Sequence, residues 1–254
     1  LRTLSPIGLL YTLSRRKLSP KLIKAVQDTR YLLGRNYARE SVVSFVGDKY
    51  QLSKLEKLTL YRAVYDQPQA EEHEKKLAPP RTVFGKKLAI DGYNVLITIE
   101  SALIGRPIIL CDDGFIRDIA MVHGKYRVTN LTDKALNLLV AYLKRLKASE
   151  VNFFFDAQVS KSGELASTVR DKLEKAKLKG NAYAVKQADT SALASGNILA
   201  TSDAVLISKA RAVVDLAAQT IRKKCPEKAV ALTKLPKIEE TRLNNTEQTN
   251  NSGP

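Results

Sequence analysis

The sequence predicts an α/β protein: a three-layer α/β/α sandwich around a mostly parallel sheet, preceded by a small all-α domain. Three observations carry this. The short apolar runs Leu88-Ala89-Ile90, Val151 to Phe155 and Ile198 to Ala200 lead to Asp91, Asp156 and Asp203, and their length and richness in β-branched and aromatic residues suit buried parallel strands. Helical patterns separate the runs, as parallel crossovers require. Residues 1 to about 66 carry helical periodicity without a convincing strand.

In the N-terminal part, Pro20 opens a helix over Lys21 to Leu33, with Leu22, Ile23, Val26, Leu32 and Leu33 apolar and Gly34 as the stop. A second helix is expected from about Glu40 to Val46, ending at Gly47. A third, from Ser53 to Tyr65, starts on the capping box Ser53-Lys54-Leu55-Glu56. Residues 67–86, with Pro68, the cluster Glu71-Glu72-His73-Glu74 and Pro79-Pro80, read as a linker, or as a segment whose acids lie back on the basic domain, and His73 reads as solvated rather than functional. An α/β domain is expected over 87–235, with strands at 87–91, 107–111, 151–155, 182–186 and 197–201. Its helices are expected at about 131–147, 163–178 and 211–224, with short turns after Asp91, Asp189 and Asp203. The run Lys228 to Leu232 adds an edge strand, and the Asn-, Thr- and Glu-rich 236–254 reads as a disordered tail.

Composition narrows the partner. The 254 residues hold 42 Lys and Arg against 26 Asp and Glu, a net charge of +16, which favours an anionic polymer and makes nucleic acid the first candidate. Before residue 40 the cations Arg2, Arg15, Arg16, Lys17, Lys21, Lys24, Arg30, Arg35 and Arg39 face a single acid, Asp28. Two cysteines, Cys111 and Cys225, and two histidines, His73 and His123, make neither a disulfide framework nor a cysteine-based zinc site. No stretch approaches a membrane span and no secretory signal is visible, so the chain reads as cytosolic.

The chemistry follows from strand direction. Parallel strands put their carboxyl ends along one edge, where open α/β folds bind ligands, so Asp91, Asp156 and Asp203 are expected to converge there around Mg²⁺ or Mn²⁺. The plain alternative at each position is a helix N-cap or turn residue, and Asp91-Gly92 is an ordinary turn dipeptide.

Asp91-Gly92-Tyr93-Asn94-Val95-Leu96, Phe155-Asp156-Ala157 and Ala200-Thr201-Ser202-Asp203 resemble the PIN-like nuclease superfamily, in particular its NYN branch. Residues 87–224 are similar to an uncharacterised, mainly prokaryotic family of that branch. Residues 20–66, through Tyr31-Leu32-Leu33-Gly34-Arg35 and Val46-Gly47-Asp48-Lys49-Tyr50-Gln51-Leu52, resemble the small helical domain that accompanies it. The resemblance implies a PIN-like sandwich and a metal-dependent ribonuclease in which Asp91, Asp156 and Asp203 hold Mg²⁺ or Mn²⁺, with Asn94 orienting Asp91 or contacting the scissile phosphate. It also places Asp189 either as a further metal acid or as the N-cap of the next short segment.

Other motifs stay open between two readings. Asp112-Asp113-Gly114, followed by Asp118, is a turn or an extra metal limb. Lys161 and Ser162 form a phosphate-binding helix start, or Ser162 is an ordinary N-cap. His123-Gly124-Lys125-Tyr126-Arg127 contacts single-stranded RNA through Lys125 and Arg127, or is a solvated loop. Arg15, Arg16, Lys17 and Arg35 are expected to grip RNA. The leading expectation is an endoribonuclease acting on single-stranded or structured RNA. A non-catalytic RNA- or ribosome-binding factor comes second, and a small-molecule phosphohydrolase third.

Overall fold

The structure, a computed structural model, describes residues 18–119, 126–224 and 229–231. The strands are β1 (Lys87–Asp91), β2 (Ile108–Leu110), β3 (Ile116–Asp118), β4 (Glu150–Asp156), β5 (Gly180–Val185), β6 (Ile198–Ala200), β7 (Val213–Val214) and β8 (Ala229–Ala231). The helices before β1 are α1 (Pro20–Leu33), α2 (Arg39–Lys49), α3 (Lys54–Ala63) and α4 (Gln67–Lys76). Those after it are α5 (Gly92–Leu103), α6 (Asn130–Leu146), α7 (Ser162–Lys175), α8 (Ala188–Ser195), α9 (Ala204–Lys209) and α10 (Leu216–Lys224).

Five strands form one sheet in the order β5-β4-β1-β6-β7, every pairing parallel. Successive residues point to opposite faces of a strand, and the apolar runs fill both sides. Leu88, Ile90, Phe153, Phe155, Ile198 and Ala200 join the core that holds α5, α6, α7 and α10, whereas Ala89, Phe154 and Leu199 face α8 and α9. Helices therefore cover both faces, which is what a continuous apolar strand needs. The chain runs outward from β1 through β4 to β5 and then returns to β6 on the other side of β1. The strand order thus reverses between β1 and β6, and such a reversal opens a crevice at the carboxyl ends.

The strand expected at 107–111 does not join this sheet. As β2 it pairs with β3 antiparallel and with β8 parallel in a separate three-stranded sheet, which also takes up the edge run near the C-terminus. The main sheet instead gains β7 from inside the span expected to be helical at 211–224. The turn expected after Asp91 is the twelve-residue α5. The predicted tail 236–254 lies outside the described residues.

The N-terminal helices are built largely as expected. Ser19 caps α1 by accepting from the Leu22 amide, and the Ser53–Glu56 capping box starts α3. Gly47 does not stop α2, which runs on to Lys49; a Cβ there would lie 2.5 Å from the Lys57 side chain, so the glycine serves helix packing. The expected linker is largely α4, capped by Asp66, which accepts from the Gln69 amide.

His73 is not solvated but completely buried. Its Nδ1 lies 2.9 Å from Asp113 Oδ2 and its Nε2 2.9 Å from Ser208 Oγ on α9. Asp113, also fully buried, accepts both Nη1 and Nη2 of Arg117 at 2.8 and 2.7 Å. Burial raises the Asp113 pKa, but Arg117 and His73 outweigh it and hold the carboxyl at about 2. The Asp113–His73–Ser208 chain has the order of a nucleophilic relay. Its carboxylate, however, is already neutralised by Arg117 and its hydroxyl also reaches the Ala204 carbonyl, so it ties α4 to the β2–β3 turn and α9.

The helical segment and the sheet domain share packing. Ile109 and Cys111 project into the helical core with Ala63, Val64 and Tyr65, while Ile108 and Leu110 project into the main core. Arg30 on α1 pairs with Asp112 through both nitrogens Nε and Nη2, and the Asp112 amide donates to the Ala63 carbonyl at 3.0 Å. The extra metal limb expected at Asp112 and Asp113 is thereby corrected: both carboxylates are held by guanidinium groups in the joint between the two parts. Among the described residues no helix is long and apolar enough to cross a membrane.

Candidate functional site

The crevice at the strand-order reversal is where two of the three aspartates meet. Asp91 ends β1 and caps α5, its Oδ1 accepting from the Asn94 amide at 3.4 Å. Asp203 follows β6 and caps α9, its Oδ1 accepting from the Val205 and Leu206 amides at 2.9 and 3.0 Å. Thr201 joins them: its hydroxyl donates to Asp91 Oδ2 at 2.8 Å and accepts from the Asp203 amide at 3.0 Å. Both aspartates are therefore N-caps, and one threonine also ties the Asp91 carboxylate to the Asp203 backbone amide.

Asn94 does not orient the Asp91 carboxyl with its side chain. Its Oδ1 accepts from the Ser202 amide at 3.0 Å and the Ser202 hydroxyl at 2.7 Å, while Arg117 Nε donates to the Ser202 carbonyl at 2.6 Å. The segment 201–203 is gripped on both sides, which fixes where Asp203 stands. Gly92 is likewise no turn residue. It begins α5 against the Phe155 ring, which would lie 2.2 Å from an added Cβ. Gly92→Ala is expected to destabilise the protein by ~1–3 kcal/mol, the usual cost of overpacking, read as a lower denaturant midpoint at unchanged slope.

The electrostatics of the pair are unfavourable. Burial pushes the Asp91 pKa up, the Asp203 and Asp189 carboxylates add to it, and the Thr201 hydroxyl and Asn94 amide oppose it, leaving a value of about 7. Asp189 stands in the first turn of α8, whose N-cap position is Gln187, so the cap reading for Asp189 is corrected and its carboxylate instead acts on Asp91.

Asp156 is set apart from this pair. Asp91 is in register with Phe154, so Asp156 stands two residues, roughly 7 Å, farther along its strand. Its Oδ1 accepts from the Gln158 amide at 2.8 Å, and its charge acts on Tyr93. The Tyr93 hydroxyl is buried with no hydrogen-bond partner among the described residues, and burial together with Asp156 pushes its pKa up to about 12. Among the described residues no three His, Cys, Asp or Glu side chains are placed to hold a metal ion together. The single shell expected from Asp91, Asp156 and Asp203 is therefore not assembled by the chain alone.

The expected RNA contacts fare unevenly. Lys161, not Ser162, occupies the cap position of α7, with a left-handed backbone at φ 65° and an ion pair to Glu164, and Ser162 is buried. Arg35 is exposed and lies 4.6 Å over the Tyr31 ring, and Arg127 is exposed. Arg15, Arg16, Lys17, His123 and Lys125 lie outside the described residues.

A cleft of about 300 Å³ leads to Asp203 from the helical side. Arg39, Tyr61, Arg62 and Arg117 line it together with Asp203 and Val205. Sequence reasoning missed Thr201, Ser202, Arg117 and the cleft. The hydroxyls of Thr201-Ser202 immediately before Asp203 were the available signal; Arg117 carries none, because its partner Asp113 was open only between a turn and an extra metal limb.

Residues 80–219, more than half of the chain, match a family described as a domain of unknown function (DUF5616), and the chain belongs to that family. Residues 21–76, the helical segment with α4, match a second family, described as a protein of unknown function (DUF434). An uncharacterized protein of Methanocaldococcus jannaschii, MJ0935, is 38% identical over 200 residues, covering 78% of this chain and 95% of that protein. The likeness thus spans both parts. No solved structure matches the chain.

Proposed function

We propose that the chain is a divalent-cation-dependent endoribonuclease of PIN-like architecture whose chemistry centres on Asp91 and Asp203. The observation that carries this reading is the pair itself: at the crevice of the sheet the Thr201 hydroxyl ties the Asp91 carboxylate to the Asp203 backbone amide, and the Asp203 and Asp189 carboxylates add to burial, the largest cause, in raising the Asp91 pKa to about 7. A helix cap does not need a second carboxylate beside it, and clustered acids away from any cation only cost stability.

The donor set suits Mg²⁺ or Mn²⁺. Both are hard ions that take carboxylate and hydroxyl oxygen, and Mg²⁺ is commonly held by one or two carboxylates with water and substrate phosphate completing the shell, so a ready-made set of three protein ligands is not required. Asp91 and Asp203 would hold the ion, Asp189 and Asp156 would complete the acidic surround, and the ion when bound would polarise a phosphoryl oxygen and lower the pKa of water. Thr201 and Asn94 set the positions of the carboxylates. The net charge of +16 and the arginines of the cleft favour a polyanionic substrate.

A second reading, a non-catalytic RNA- or ribosome-binding factor, is favoured by the capping duty that Asp91 and Asp203 already perform. Incubation of a mixed RNA pool with the protein and Mg²⁺ or Mn²⁺ separates the two. Cleavage by the wild type, abolished by chelator and reduced at least a thousandfold in Asp203→Asn, is the expected result; RNA binding without cleavage under any divalent ion would replace the nuclease by the binding factor.

A further inference from the structure

The cleft beside Asp203 has a composition that bears on what enters it. Two of its arginines are already committed. Arg39 and Arg117 stack on the Tyr65 ring at 4.7 and 5.1 Å, Arg39 Nη1 donates to the carbonyls of Tyr61 and Val64, and Arg117 is bidentate on Asp113. Arg62 is held at longer range by the buried Asp118, its Nη1 3.3 Å from Oδ2 and 3.4 Å from Oδ1, long contacts for a charged pair. Tyr61 is 38% exposed and its hydroxyl reaches Glu40 at 3.2 Å. Val205, 60% exposed and two residues from Asp203, also lines the cleft.

A cation, an exposed aromatic ring and an exposed aliphatic side chain around a narrow cleft match a single unpaired nucleotide. Proteins stack unpaired bases on such rings and hold the flanking phosphate with Arg, whereas a duplex buries its base faces and offers only backbone. We infer that this cleft seats one nucleotide of single-stranded RNA next to the phosphate at Asp203, its base on Tyr61 and its phosphate on Arg62. The helical segment then forms one wall of the active cleft and sets a preference for unpaired substrate. This inference rests on the ribonuclease reading, and its test is kept separate from cleavage.

Val205 gives a clean probe. It is the second residue of α9 after the Asp203 cap, where an acidic side chain is favoured by the helix dipole, so Val205→Glu should fold at least as well as the wild type. Binding of a fluorescein-labelled uridine decamer is measured by anisotropy in EDTA, with a labelled RNA duplex of the same length beside it. The expected results are tighter binding of the decamer than of the duplex, at least tenfold weaker decamer binding by Val205→Glu, and about fivefold or more loss in Tyr61→Ala, since a stacked base is worth ~1–3 kcal/mol. Val205→Lys is expected to bind more tightly and to steepen the log–log salt slope by about 0.7, one added phosphate contact. Decamer binding equal to wild type in both Val205→Glu and Tyr61→Ala, equal binding of duplex and decamer, or no RNA binding by the wild type would overturn the subsite. Because no metal is present, failure of cleavage leaves these results standing and counts against the nuclease reading alone.

Discussion

Arg117→Met is expected to lower stability by about 3–5 kcal/mol, the range for removing one partner of a buried ion pair. The substitution removes the two guanidinium bonds to a completely buried Asp113 carboxylate, which keeps His73 and the Phe115 amide, together with the Nε bond to the Ser202 carbonyl and the stacking on Tyr65. The loss arises chiefly from a buried carboxylate left without its guanidinium, so Arg117→Met combined with Asp113→Asn should recover a large part of it in urea unfolding. Recovery absent in the double variant would show that Asp113 is not what makes Arg117 indispensable. The same pair dictates acid behaviour. The Asp113 pKa is depressed to about 2, below its unfolded value of about 3.9, so its contribution is fully present above pH 4 and is lost as pH falls through 2. Arg117→Met should also weaken any activity at Asp203, because the bond to the Ser202 carbonyl helps hold that segment.

Asp91→Asn is expected to act in the opposite direction on stability. The Asp91 pKa is raised from 3.8 to about 7. Below pH 4 the group is protonated both folded and unfolded. Between about 4 and 7 the unfolded chain releases its proton while the folded one keeps it, so stability falls with rising pH, and above 7 the deficit is complete. At ~1.4 kcal/mol per pKa unit this deficit is on the order of 4 kcal/mol in metal-free buffer. Asn cannot ionise and is as good an N-cap as Asp, so the variant should melt higher than wild type at pH 8 without divalent ions and match it near pH 4. Mn²⁺ should stabilise the wild type by an amount growing with the logarithm of concentration, about 2.7 kcal/mol at one hundred times the dissociation constant, and leave Asp91→Asn unmoved. A variant less stable than wild type at pH 8 in EDTA would mean that Asp91 is a cap and nothing more.

Much of the architecture can be read from periodicity, because buried parallel strands and amphipathic helices have different periods. The strands at 87–91, 151–155, 182–186 and 197–201 appear where expected to within a residue or two. What periodicity does not carry is partnership. The run at 107–111 is a strand, but its alternation, Ile108 and Leu110 inward and Ile109 and Cys111 toward the helical core, became legible only once the two cores were known. Two residues are too short to show a period, so Val213-Val214 was absorbed into a helix. Pro68 and the acidic cluster looked like a linker, although Asp66 followed two residues later by proline is also how a helix begins, as α4 shows.

The site divides in the same way. Asp91 and Asp203 are legible because each ends an apolar run, and the sheet order brings their strands side by side. Thr201 as the link between them is not, since a hydroxyl near a strand end is common. His73 and Asp113 are 40 residues apart and surrounded in sequence by charge, so their burial follows only from the tertiary joint.

The central claim is that Asp91 and Asp203 together form a divalent-cation site. Calorimetric titration of Mn²⁺ into the RNA-free protein at pH 7.5 tests it directly, with Asp91→Asn and Asp203→Asn alongside. The expected result is saturable binding by the wild type that both variants weaken at least tenfold while keeping their fold. Binding of equal strength in all three proteins, or heat of dilution alone in the wild type, would contradict it.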